Sequence, residues 1–95
     1  MTSVRDFVTE HRRELLDDLD QWLRIPGISA QRDHHGDVAE SAAWLAAALR
    51  RTGFPTVAIW PTARLPPVVA EWRRADRRAP VLPVVGHHHV TPTDP

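Results

Sequence analysis

Ninety-five residues with twelve acids balanced by twelve basic side chains, all arginine, limit the chain to one domain and give no basic excess of the kind nucleic-acid binding requires. The absence of cysteine excludes disulfides and thiolate metal sites and fits a reducing cytosol. The charged N-terminus lacks the apolar core of a signal peptide. The longest apolar run, residues 42–49, is far short of the roughly 20 residues of a membrane span, so a cytoplasmic protein with no membrane partner is expected.

Residues 3–24 read as one amphipathic helix, because Val4, Phe7, Val8, His11, Leu15, Leu19, Trp22 and Leu23 recur at three- and four-residue steps. Ser3 is placed to cap the first turn, and Asp20 and Arg24 to pair at i,i+4. Pro26-Gly27 ends the helix, and 31–36 is a polar loop. The second helix is expected over 37–52, with Val38, Ala42, Leu45, Ala48 and Leu49 as its buried stripe and Gly53 as its C-terminal stop.

Three strands follow in this reading, at 56–60, 68–72 and 81–85. Pro61, Pro66 and Pro67 stand against a tight hairpin between the first two, and 73–79 is a charged turn. Residues 81–85 are apolar throughout, the pattern of a strand buried on both faces. Pro83 interrupts that strand, since proline cannot donate a ladder hydrogen bond. The fold class is therefore α/β: two N-terminal helices and three strands, resembling the opening of a larger domain.

The chemistry concentrates in His87-His88-His89. In an extended chain, side chains two apart share a face, so His87 and His89 point one way and His88 the other. Two imidazoles on one face are competent to chelate zinc, nickel or copper. A strong zinc site needs three or four ligands, and His34, His35, Asp33 and Asp37 are candidates for the rest. The blander reading makes the triplet and the His34-His35 pair solvated loops, and His11 a packing residue at a helix boundary. In the same reading Trp22, Trp44, Trp60 and Trp72 are packing residues, and Asp17, Asp18 and Asp20 a solvated helix face. There is no phosphate-binding glycine loop, and no serine has an obvious base partner.

Read in order, these segments resemble a known family. Leu23-Arg-Ile-Pro-Gly-Ile-Ser29 is similar to the turn after the first helix of the dinuclear zinc metallopeptidases, which include carnosinase-type dipeptidases, glutamate carboxypeptidase and succinyl-diaminopimelate desuccinylase. Gly36-Asp-Val-Ala-Glu-Ser-Ala-Ala-Trp-Leu45 resembles the next helix. Thr52-Gly-Phe-Pro-Thr-Val57, within 49–60, resembles the helix end and first strand of the bacterial dipeptidase branch, and Val68-Val-Ala-Glu-Trp72 the second strand. Residues 79–95 resemble the third strand and the first metal-binding motif, so the likeness runs along essentially the whole chain.

That motif is His-x-Asp. The resemblance implies that His87 is a metal ligand, that His88 is the variable residue, and that His89 occupies the place of the aspartate that orients the ligand by accepting its other N–H. It also implies two zinc ions and a metal-assisted hydrolysis of the amide bond of dipeptides or N-acyl amino acids. A small peptide substrate is expected only in the complete enzyme. Three features depart from the pattern: His89 stands for the aspartate, Pro83 stands in the strand, and the bridging aspartate, catalytic glutamate pair and later ligands are not among these residues. Residues 1–95 are thus expected to form the N-terminal part of the catalytic domain, truncated or degenerate, inactive by itself, with the missing remainder as its possible partner. The alternatives are a non-enzymatic binding module and a product with no selected function.

Overall fold

The computed structural model describes residues 3–62, 65–73 and 78–92. Its elements are α1 (Val4–Glu10), α2 (Arg12–Leu23), a 3-10 turn (Arg32–His34), α3 (His35–Thr52), β1 (Thr56–Ile59) and β2 (Val68–Glu71). The architecture is mixed α/β, with three helices and a two-stranded antiparallel sheet among the described residues.

The expected first helix is two helices. The Ser3 side chain caps α1 by accepting from the Asp6 N–H at 3.1 Å. The break falls at His11, whose backbone leaves the helical region at φ −105°, ψ 14°. At the break the His11 ring Nδ1–H donates to the Phe7 carbonyl at 2.9 Å, beside the His11 backbone N–H that the same carbonyl accepts at 3.0 Å, and the imidazole stacks on Phe7 at 4.1 Å between centroids. The Arg24–Asp20 pair forms at 3.0 Å, with both side chains exposed, a geometry worth about 0.3–0.5 kcal/mol.

Neither α1 nor α2 buries a residue. The apolar stripe is real but uncovered: Val4, Phe7, Val8, Leu15, Leu16, Leu19 and Leu23 are all exposed. Contact with α3 is made through Trp22, which stacks on Trp44 with 5.5 Å between centroids and 9° between planes.

The core belongs to α3. Val38, Ala42 and Ala46 are fully buried and Ser41 nearly so. Leu45, Ala48 and Leu49 are half-buried, so the covered face is rotated slightly from the stripe expected. Gly53 ends the helix at φ +114°. Its N–H bonds to the Arg50 carbonyl and the Phe54 N–H to that of Leu49, the paired closure of a Schellman motif.

β1 and β2 pair in the register Thr56–Glu71, Val57–Ala70, Ala58–Val69 and Ile59–Val68, and the Trp60 N–H extends the ladder to the Pro67 carbonyl. A long proline-bearing connection joins them, as expected. α3 packs against both strands, and Phe54 meets Trp72 edge to face at 5.3 Å. The charged turn expected at 73–79 lies mostly outside the described residues.

The third strand does not form. Residues 81–89 have no regular secondary structure, and Val81, Leu82, Val84 and Val85 are 68–88% exposed. A strand exists through its partners; among the described residues none pairs with this run, and Pro83 lacks an N–H to offer one. Just beyond its tip, Val90 and Ile28 form a single parallel bridge and the Val90 N–H reaches the Gly27 carbonyl at 2.9 Å. The Cα radius of gyration of 15.7 Å exceeds the roughly 13 Å of a compact domain of this length, in keeping with these uncovered faces.

Candidate functional site

The histidine triplet is built by alternation. His87 and His89 lie exposed on one side of the extended segment, with ring centroids 5.1 Å apart and planes at 76°. His88 turns the other way and is half-buried. The period-two placement expected of an extended chain is realised here without a ladder to enforce it.

What enforces it is a polar contact with α3. The buried Ser41 hydroxyl accepts from Trp22 Nε1–H at 2.8 Å and donates to the His88 backbone carbonyl at 2.8 Å. The His88 ring adds contacts of 3.3 Å from Nδ1 to Ser41 Oγ and 3.3 Å from Nε2 to the Pro66 carbonyl. A carbonyl only accepts, so the Pro66 contact requires Nε2–H. With the Ser41 proton committed to the His88 carbonyl, the Nδ1 contact also requires N–H, and a neutral ring satisfies one of the two. One serine thus joins α2, α3 and the histidine segment, and the Val90–Gly27 bond fixes the register two residues on. Every buried side-chain nitrogen and oxygen among the described residues has a partner.

No sequence motif points to Ser41, and His88 falls at the variable position of the His-x-Asp pattern. The available signal was a serine beside Ala42 on the apolar face of α3, which requires a partner when buried. The identity of that partner, 47 residues away, was not in the pattern.

The other candidate ligands are engaged locally. His34 Nδ1 lies 2.8 Å from an Asp37 carboxylate oxygen, and His35 Nε2–H donates to the Ser29 carbonyl at 3.3 Å. Among the described residues, no group of three or more His, Asp or Glu side chains is arranged to hold a metal ion, so His34, His35, Asp33 and Asp37 do not complete a site with His87 and His89. The donor set at the triplet is two exposed imidazoles, fewer than the three or four protein ligands of a typical zinc site. An open groove beside it, lined by Leu45, Pro66, Val68, Ala70, Val84 and His88, separates β2 from the histidine segment.

Trp22 and Trp44 have the packing role expected of them. His11 packs on Phe7 at the helix boundary. No helix among the described residues is long and apolar enough to cross a membrane. No family model, curated protein or solved structure gives a significant match to this chain.

Proposed function

We propose that the chain is the N-terminal part of a catalytic domain of the dinuclear zinc metallopeptidase type, and that by itself it is not a working enzyme. The inherited reaction is hydrolysis of the amide bond of dipeptides or N-acyl amino acids. The observation that carries the reading is the placement of His87, an exposed imidazole at the tip of an apolar segment that has no pairing partner among the described residues. An apolar run exposed along its whole length belongs to a sheet interior that further strands would supply. The groove between it and β2, and the uncovered stripe of α1 and α2, are further surfaces a larger domain would close.

In this reading His87 is a zinc ligand and His89 stands where a carboxylate would orient it. When bound, zinc would supply Lewis-acid activation of a water. Two imidazoles do not make the site that chemistry needs, so no catalytic step is assigned to these residues. His89 as a neutral imidazole accepts one hydrogen bond but brings no negative charge to raise the ligand's basicity. Loss of such a partner lowers affinity or activity by about 10–100-fold.

Two experiments test the reading. In the encoding DNA, the sequence that follows is expected to hold the bridging aspartate and the glutamate pair, in the same or another frame; their absence there contradicts the ancestry. The purified chain with zinc is expected to hydrolyse a panel of dipeptides and N-acyl amino acids no faster than zinc alone. A rate above that blank, abolished by His87→Ala, overturns the claim of inactivity. The same exposed run also suits a binding module that docks on a partner chain. Cooperative, stable folding of the chain by itself would favour that alternative.

A further inference from the structure

We propose that His87 and His89 form a bidentate chelate for a transition-metal ion, with both imidazoles as direct ligands. This deepens the reading above at His87 and changes the role of His89 from orienting a ligand to being one. Copper(II) is the best-suited ion, because two imidazoles with water completing the shell match its preference for nitrogen and oxygen donors and its place at the top of the divalent affinity order.

Geometry carries the inference. A metal ion held by two imidazoles at about 2.0–2.1 Å, with a tetrahedral angle between them, separates the ring centroids by about 5 Å; a square-planar cis angle brings them slightly closer. The rings of His87 and His89 are already 5.1 Å apart on one side of the chain. Both are exposed, so the rings are free to turn toward a common ion, and water has access to the remaining positions.

The backbone beneath them is held. Ser41 fixes the His88 carbonyl, the His88 ring occupies the opposite side, and Val90 is bonded to Gly27. The two rings therefore share a face before any metal arrives, which lowers the ordering entropy a flexible His-x-His peptide would lose on binding. The other adjacent pair has no such arrangement: His34 is engaged by Asp37 and His35 by the Ser29 carbonyl.

Affinity alone does not separate a ligand from an orienting residue, since losing either weakens binding by a factor of ten or more. The number of coordinated nitrogens does separate them. Copper(II), added at one equivalent to the full chain, is to be read by electron paramagnetic resonance and electron spin-echo modulation. Two imidazole nitrogens are expected in the native chain and one in both His89→Ala and His89→Asp. The His34→Ala/His35→Ala double variant is expected to leave the native signal unchanged. Circular dichroism of the His89 variants should match the native chain, because His89 is exposed. One nitrogen in the native chain, lost in His87→Ala, overturns the chelate while leaving His87 as a ligand. No imidazole nitrogen overturns both this inference and the role of His87. A signal that follows His34 and His35 overturns the chelate as well.

Discussion

Ser41 is the residue on which the position of the histidine segment depends. Its hydroxyl satisfies the indole N–H of Trp22 and the carbonyl of His88 from within the α3 face. Ser41→Ala leaves both partners without it in a part-buried setting, and each unsatisfied group costs about 1–3 kcal/mol. Urea unfolding is expected to show a loss of that order, and His88 to become more exposed in the variant; an unchanged midpoint would contradict the role. Gly53 has a backbone reason for its identity. At φ +114° an L side chain is strained, so Gly53→Ala is expected to destabilise the chain by about 1–2 kcal/mol in the same assay. Gly53 was legible from the sequence because a helix stop has a local signature. Ser41 was not, because its partners come from two distant segments.

At the scale of elements, the readable parts are those whose causes are local. The alanine-rich α3 and the strands β1 and β2 form within one or two residues of the expected bounds. His11 lies on the apolar face of what reads as a continuous helix, yet its backbone leaves the helical region and divides α1 from α2. The expected strand at 81–85 failed for the opposite reason: apolar composition states what a segment is suited to bury against, and pairing depends on a neighbour. Hydrogen exchange should separate these cases. Amides of 42–46 in α3 are expected to be the slowest, and those of Leu82, Val84 and Val85 to exchange near the rate of an unstructured peptide. Protection at Leu82, Val84 and Val85 comparable to β1 would show that the segment has a partner. Pro83→Val restores an N–H, but with no strand among the described residues paired to receive it the variant is expected to unfold at the native midpoint.

For the molecule as a whole, the balance of buried and exposed apolar surface decides the account. Among the described residues three hydrophobic side chains form the fully buried core, while the faces of α1, α2 and 81–85 remain open. Such a core supports only marginal stability, so broad, weakly cooperative thermal unfolding is expected by calorimetry; a sharp two-state transition at high temperature would indicate a self-sufficient module. The alternation that puts His87 and His89 on one face was legible from the sequence, whereas His34 and His35, expected as solvated loop residues, are half-buried and bonded to Asp37 and to the Ser29 carbonyl. Whether distant residues join them was beyond pattern reading, because ligand sets are assembled by tertiary contacts. The central claim is the proposed metal-binding role of His87. Zinc titration by calorimetry, comparing the native chain with His87→Ala, tests it most directly: the account predicts binding that the substitution removes, and equal affinity in the two proteins would contradict it.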